Sequence, residues 1–232
     1  TVTGGSVPTS SASSGNVNNV LCVGDDIIID ASGSSGASSY GFMLNGIMQS
    51  GTPTSTSSFT FASGTVNDND DISVIAYSGT GGSGCTDTVT LTIRLNSITG
   101  TTTLSGAQTI CSGDTPTQIS GSPSTSVLGG TITYQWQSRV GTNTFVDISG
   151  ANTQNYAPSA LSTSTDFRRI VQNSFNSVVC EDVSNFVSIT ITPAPAASLV
   201  GTNTACVGDS VLFTASGGVS YEFFNNGLSL GA

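Results

Sequence analysis

The chain has 232 residues, a formal net charge of −10, and neither lysine nor histidine. Its 14 acidic residues outnumber four arginines, so a phosphate backbone is repelled and nucleic acid is excluded as a partner. No run approaches the ~18 apolar residues of a membrane span, which excludes direct membrane insertion of this segment.

Serine, threonine, glycine and asparagine fill the intervals between short apolar runs. This composition is typical of all-β proteins, because helix surfaces usually carry Glu, Lys, Arg and Ala. Intrinsic disorder is the alternative interpretation of so much Ser, Thr and Gly. The regular strand-like runs and the regularly placed cysteines favour the folded, all-β interpretation.

A Cys-x-Gly-Asp motif occurs three times, beginning at Cys22, Cys111 and Cys206, and each copy opens a segment with strand-like alternation. A recurrence of about 90 residues indicates a tandem array of small domains. We therefore predict four segments along the chain. They are a linker or the tail of a preceding domain at 1–19, a first repeat at 20–97, a second at 98–194, and the start of a truncated third at 195–232.

The first repeat contains a series of short strand signals in chain order. Residues 27–29 form an apolar run, and Asn45-Gly46 predicts a tight hairpin turn. Residues 59–61 and 72–77 predict the next strands, and residues 89–95 alternate apolar with polar, as expected for a half-buried final strand. The Gly-Asp pair of each motif is interpreted as turn chemistry before a strand rather than as a metal ligand.

The second and third repeats follow the same order of signals. In the second, Tyr134–Gln137, residues 166–171 and residues 187–191 predict strands, and the third has Asn226-Gly227 at the place of the first hairpin turn. The segment 192–196 contains two prolines and predicts an extended, fairly stiff linker. About seven short strands per repeat indicate tandem immunoglobulin-like β-sandwiches.

The cysteines recur at matching places in the first two repeats. Their order predicts the disulfides Cys22–Cys85 and Cys111–Cys180, each clamping one end of its own sandwich, and a bond from Cys206 to a residue outside this chain. Disulfides imply an oxidising compartment. Zinc binding is the competing use of cysteines, but the chain has no histidine and no closely spaced Cys-x-x-Cys pair.

An acidic stretch at residues 67–71 is the candidate metal site. The carboxylates of Asp68, Asp70 and Asp71 suit Ca²⁺, which takes six to eight oxygen ligands. The stretch lacks the full EF-hand spacing, and a polar turn before the following strand is the favoured interpretation. The sequence predicts no other cofactor.

The sequence contains no catalytic constellation that we recognise. Without histidine, and with oxidised cysteines, hydrolase triads and thiol catalysis lack a base or a nucleophile. Paired carboxylates for glycoside hydrolysis are the remaining alternative, but the acids mostly precede strands at equivalent turns. We predict that the chain is not an enzyme and has no catalytic residue.

Several motifs resemble a known family of repeats. The Cys-Val-Gly-Asp motif at 22–25 and 206–209, with Phe-Thr-Ala-Ser-Gly at 213–217, resembles repeats in the very large surface adhesins of Bacteroidetes, such as the SprB-type gliding-motility adhesin. The second repeat, with Tyr134–Gln137 and Asp147–Ala151, is similar to immunoglobulin-like repeats of secreted proteins in that phylum. The resemblance implies type IX secretion, display at the cell surface, and a role in adhesion or gliding.

These observations predict a structural function. We expect an extracellular, cell-surface repeat segment that acts as a force-bearing stalk, with adjacent repeats of the same chain and surface polysaccharide as its partners. The alternative is a set of spacer or carbohydrate-binding modules in a large secreted enzyme. The sequence does not decide between the two.

Overall fold

A computed structural model describes residues 19–49, 51–100 and 102–231. Within these ranges the chain forms 22 β-strands and no α-helix, and no helix is long and apolar enough to span a membrane. The strands form two complete sandwiches and a third, smaller group. The predicted all-β, tandem immunoglobulin-like architecture is therefore confirmed. The prediction of a linker or preceding tail at 1–19 falls almost entirely outside the described residues.

The first sandwich contains eight strands. They are β1 (Val20–Cys22), β2 (Ile27–Asp30), β3 (Ser39–Leu44), β4 (Ile47–Met48), β5 (Ser58–Phe61), β6 (Asp71–Tyr77), β7 (Thr86–Thr92) and β8 (Arg94–Asn96). One sheet has the order β4-β3-β6-β7. A separate two-stranded sheet is formed by β2 and β5. The short β1 runs parallel to β8, with Cys22 opposite Asn96.

The core of the first sandwich is aliphatic and aromatic. Phe42, Val74 and Ile29 are fully buried, as the alternation of β2, β3 and β6 requires. The Phe59 ring stacks on Phe42 at 5.4 Å between centroids. Neither Cys22 nor Cys85 belongs to this buried core.

The second sandwich begins only two positions after the first ends. Its strands are β9 (Ile98–Thr99), β10 (Leu104–Ser105), β11 (Gln108–Cys111), β12 (Ser120–Gly121), β13 (Thr125–Ser126), β14 (Thr131–Val140), β15 (Val146–Asp147), β16 (Thr165–Phe175), β17 (Val178–Val183) and β18 (Val187–Thr192). The large sheet has the order β11-β18-β16-β14-β15, with β17 paired to β16. The parallel pair of the first sandwich recurs, because β11 runs parallel to β18 with Cys111 opposite Thr192.

Trp136 is the centre of the second core. It is fully buried, stacks on Tyr156 at 5.4 Å, and donates its indole N–H to the Thr153 carbonyl at 2.8 Å. Arg169 is also fully buried, and its guanidinium donates to the carbonyls of Gln154 and Ser122. Burial without a nearby carboxylate lowers the pKa of Arg169 from its ordinary value.

The third group comprises β19 (Ser198–Gly201), β20 (Phe213–Ser216), β21 (Phe224–Asn225) and β22 (Leu228–Ser229). β19 pairs with β20, and β21 with β22. Apolar residues such as Leu199, Phe213 and Phe224 are exposed here. In the first sandwich the equivalent strands pack against β5 to β7, and residues 193–231 contain no counterparts of those three strands.

Two kinds of turn place the cysteines. The motif turn follows β1 and β11 and begins at Cys22 or Cys111, with Gly24 and Gly113 at φ of 96° and 94°. The terminal hairpin joins β6 to β7 in the first sandwich and β16 to β17 in the second. The predicted tight turn at Asn45-Gly46 is confirmed, because both residues have positive φ.

Candidate functional site at the joint between two sandwiches

The disulfide of this molecule joins two sandwiches rather than clamping one. Cys22, in the motif turn of the first sandwich, is bonded to Cys180 in the second, with 5.5 Å between their Cα atoms. The predicted pairs Cys22–Cys85 and Cys111–Cys180 are therefore wrong. Cys85 is half-buried at the start of β7, and Cys111 and Cys206 are exposed free thiols.

The strand register explains why the predicted pairs do not form. Cys22 lies opposite Asn96, at the end of the last strand, whereas Cys85 stands 11 positions earlier, before β7. Strands rise about 3.3 Å per residue, so these 11 positions span up to about 36 Å and place the two cysteines at opposite ends of one sandwich. A disulfide needs Cα atoms within ~7 Å. Consecutive sandwiches stack end to end, which brings the motif turn of one beside the terminal hairpin of the next.

A buried amide pair lies under the disulfide. Asn96 ends the first sandwich, Asn173 lies on β16 of the second, and both are fully buried. Asn173 Nδ2 donates to Asn96 Oδ1 at 2.6 Å and to the Ser97 carbonyl at 3.0 Å, and Asn96 Nδ2 donates to the Asn173 carbonyl at 3.3 Å. Buried hydrogen bonds of this kind favour one relative orientation, because loss of Asn173 removes the donor to the buried Asn96 Oδ1, and loss of Asn96 removes one of the acceptors of Asn173 Nδ2.

The connection between the sandwiches is itself part of the second fold. The Ser97 carbonyl accepts the Val127 N–H at 3.2 Å, and the next residues form β9, which pairs with β13. On the other side, the Val23 N–H donates to the Asn96 carbonyl at 3.0 Å and extends the β1–β8 ladder beyond Cys22. Ser97 is the one residue between Asn96 and β9, and the carbonyls of both Asn96 and Ser97 accept backbone hydrogen bonds. The joint is therefore stiff.

An acidic cleft of about 540 Å³ opens beside the disulfide. Asp25, Glu181 and Asp182 line it. Asp182 accepts the Thr102 hydroxyl at 2.8 Å, and Glu181 accepts the Gln172 amide at 2.6 Å. Negative charge around a disulfide slows attack by thiolate reductants, which are anions. The cleft therefore protects the bond electrostatically.

The candidate calcium ligands lie in a different place, at the turn before β6. Asp68 accepts the Leu95 N–H at 2.8 Å and pairs with Arg94 at 3.2 Å. Asp70 accepts the Asn45 side-chain amide at 2.8 Å, and Asp71 accepts the Thr92 hydroxyl at 2.7 Å. Within the described residues, no group of three or more acidic, cysteine or histidine side chains is arranged to hold a metal ion.

Hydrogen bonds to the Asp70 carboxylate lower its pKa. The Asn45 amide, and then the backbone N–H and the amide of Asn67, lower the pKa of Asp70 from its ordinary value of 3.8. The carboxylates thus stabilise the turn itself, which is the polar-turn interpretation of the sequence. Calcium binding here stays a prediction without support from this geometry.

The sequence indicated the cysteines of the joint but not its amide pair. Asn173 lies inside an alternating strand and in phase with the buried Val171, so alternation assigns it to the interior, whereas Asn96 directly follows the buried Leu95 and is out of phase with it. An asparagine at an interior strand position was the available signal, because a buried amide requires a partner. Nothing in the sequence indicated that the partner belongs to the neighbouring domain.

A family model described as a domain of unknown function (DUF8696) matches residues 100–193, which is the second sandwich. No curated protein is similar enough to count as a match.

Solved structures with some similarity include fibronectin(III)-like modules of CbhA from Clostridium thermocellum, at 12% identity, 80% of this chain, 95% of that one and a TM-score of 0.36. Three N-terminal domains of the Hoc outer capsid protein of bacteriophage RB49 share 13% identity over 90% of this chain and 68% of that one, with a TM-score of 0.35. Domains of titin share 17% identity over 75% and 61%, with a TM-score of 0.36.

Proposed function

We propose that this chain is a force-bearing segment of an extracellular cell-surface repeat protein, of the adhesin kind, in which consecutive sandwiches are locked end to end. The observation that carries the proposal is the disulfide between Cys22 and Cys180, which belong to different sandwiches. A bond placed there contributes nothing to a single domain's core. Its effect is to link the two domains mechanically, so that they respond to a pulling force as one unit.

The position of the bond determines which part of the chain can be stretched. When the chain is pulled at its two ends, force passes along the backbone to Cys22, across the disulfide, and on from Cys180. The intervening backbone, a sequence separation of 158, is bypassed. At about 3.5 Å per extended residue, the bond withholds about 550 Å of extension. Such a segment transmits force at nearly constant length, as a stalk requires.

The same bond supports an extracellular compartment. Disulfides persist in oxidising environments and are rare in the cytosol, which supports an extracellular location for this segment. The chain is rich in Ser and Thr and free of lysine, which suits an extracellular protein exposed to proteases that cut at basic residues. Adhesion or gliding motility is the role that the resemblance of the motifs to Bacteroidetes adhesin repeats suggests, with adjacent repeats as structural partners and surface polysaccharide as a ligand class.

Single-molecule stretching of the full chain tests the stalk function. With the protein held at its two termini, we expect the fully stretched length to increase by about 550 Å when a reductant is added. A Cys22→Ser variant should show the longer length with or without reductant. Cys111→Ser is the matched control, because it removes an exposed motif cysteine that is not bonded, and it should behave like the parent chain. Equal lengths before and after reduction of the parent would refute the proposal.

Labelling of intact cells of the source organism tests the surface role. An antibody against residues 20–192 should bind cells that have not been permeabilised, and it should reduce adhesion or gliding relative to a non-immune antibody. Binding that appears only after permeabilisation would place the segment inside the cell and contradict the proposed location.

A further inference from the structure

The second sandwich carries a cysteine at each of its ends. Cys180, beside the terminal hairpin, is buried in the bond to the first sandwich. Cys111, in the motif turn at the other end, is an exposed free thiol. The first sandwich also has a cysteine, Cys22, in its motif turn. One of these two equivalent motif cysteines is thus bonded to a neighbouring domain and the other presents its sulfur to solvent.

The two motif turns have the same geometry. Cys22 lies opposite Asn96 and Cys111 opposite Thr192, and each of those partners is the last residue of its sandwich's final strand. The N–H of the motif aspartate donates to the cysteine carbonyl in both turns, at 3.4 Å after Cys22 and 3.1 Å after Cys111. Cys111 therefore occupies the place in the second sandwich that Cys22 occupies in the first, at the exit end.

The chain after the second sandwich has the length that the first joint uses. Asn96 and the next motif cysteine, Cys111, are 15 positions apart, and Thr192 and Cys206 are 14 apart. Pro193 takes the place of Ser97, and at the first joint Ser97 contributes its backbone carbonyl, an atom that proline retains. A sandwich that follows the second one can therefore dock at the same distance from it as the second does from the first.

We propose that Cys111 forms a disulfide with the terminal-hairpin cysteine of a further sandwich that docks on the Thr192 end of the second one. The inference rests on the proposed function, because it extends the first joint to the next. The loops closed by successive disulfides then overlap, since Cys111 lies inside the loop between Cys22 and Cys180. The array becomes a covalent ladder in which each joint is crossed by the backbone and by a disulfide.

The bond forms by thiol–disulfide exchange with a small disulfide oxidant such as oxidised glutathione. The hairpin thiolate attacks one glutathione sulfur and releases the first glutathione thiolate. The Cys111 thiolate then attacks the protein sulfur of the mixed disulfide and releases the second. Two electrons pass to the oxidant, which leaves as two molecules of glutathione that carry the two thiol protons.

The test uses the full chain with residues 97–192 repeated once in tandem after Thr192, so that a complete sandwich follows Cys111. Every cysteine is replaced by serine except Cys111 of the first copy and Cys180 of the second. After refolding in a glutathione redox buffer, we expect loss of both free thiols in the monomer, measured as the mass difference on alkylation with and without prior reduction. Two alkylated thiols in the monomer would overturn the proposal.

The matched control keeps Cys111 and Cys180 of the same copy, which are the two ends of one sandwich. It should retain both thiols under the same conditions, and its near-ultraviolet circular dichroism around Trp136 should equal that of the test protein. Oxidation of the control to the same extent as the test protein would also overturn the proposal, since pairing would then not depend on the neighbouring domain. The result is distinct from the stalk test, because neither protein contains Cys22 and the length change expected in the stretching experiment does not depend on Cys111.

Discussion

The two joints of this chain differ in how they are held, although the repeats on either side are related. At the first joint a disulfide and a buried amide pair join the two sandwiches, and the β9–β13 pairing anchors the connection to the second one. At the second joint residues 193–197 are exposed, and within the described chain no disulfide joins residues 102–192 to residues 193–231. The same sandwich, the second, is locked at one end and open at the other.

The comparison shows that stiffness in this array is a property of joints rather than of domains. The first joint is held by groups from both neighbours, so it exists only when both sandwiches are folded. The second is extended by Pro193 and Pro195, which restrict the backbone through the fixed φ of proline. Substitutions at matched positions of the two joints separate these two sources of order.

The largest expected effect comes from the disulfide. In the chain-entropy model, a closed loop with a sequence separation of 158 stabilises the folded pair of sandwiches by about 5 kcal/mol. Cys180→Ser should therefore lower the free energy of unfolding, summed over both sandwiches in urea titration, by up to about 5 kcal/mol. Cys111→Ser should change it by less than about 0.5 kcal/mol, as for an exposed side chain. Equal losses in the two variants would mean that the bond does not form in solution.

The amide pair should have the next largest effect. Asn96→Ala removes a buried partner of Asn173 and leaves a buried amide with fewer acceptors, at a cost of about 2 kcal/mol in the free energy of unfolding. Thr192→Ala is the matched change at the second joint, where the side chain is exposed and donates to the Ile110 carbonyl at 3.1 Å. It should cost about 0.5 kcal/mol. If urea titration gives the same loss for both, the buried pair does not stabilise the first joint.

Lengthening the connections should have a smaller effect that still distinguishes the joints. A Gly-Ser insertion after Ser97 displaces the carbonyl that accepts the Val127 N–H and should cost about 1 kcal/mol, the value of a typical hydrogen bond. The same insertion after Ala194 lengthens an exposed segment and should leave thermal unfolding of the first two sandwiches unchanged. A comparable shift in both insertion variants would contradict the assignment of Ser97 to the joint.

Acidification should affect the first sandwich while leaving the first joint intact. A disulfide and two amides do not titrate, whereas the folded-state pKa of Asp70 is lowered by the Asn45 and Asn67 hydrogen bonds. A lowered pKa contributes stability above the ordinary value of 3.8, and this stability is lost as pH falls through the lower folded value. NMR titration should place the Asp70 transition below 3.8, and Asn45→Ala should raise it. An unchanged pKa of Asp70 in that variant would show that the Asn45 hydrogen bond does not lower it.

Much of the fold was predictable because strand signals are local. Alternation at residues 72–77, the Asn45-Gly46 turn and the burial of Trp136 follow from side-chain period, positive φ and apolar surface, and all three are found in the structure. The motif glycines were also correctly assigned to a turn. Each of these features depends on residues close together in the chain.

The candidate site was not predictable in the same way. The cysteines were identified, but their pairing depends on which ends of two sandwiches meet, and Cys22 and Cys180 are separated by 158 positions. Repeat symmetry favoured pairs within a domain, and it left out the length of the strands between the two cysteines.

The sequence by itself determined the all-β composition, the repeat, the turns and which turns carry the cysteines. These features depend on local backbone preference and apolar alternation. Only the tertiary structure decided that Cys22 pairs with Cys180 and that Asn96 meets Asn173. The physical reason is that a disulfide or a buried hydrogen bond forms only where two groups lie within a few ångströms of each other, and end-to-end stacking of whole domains sets that distance.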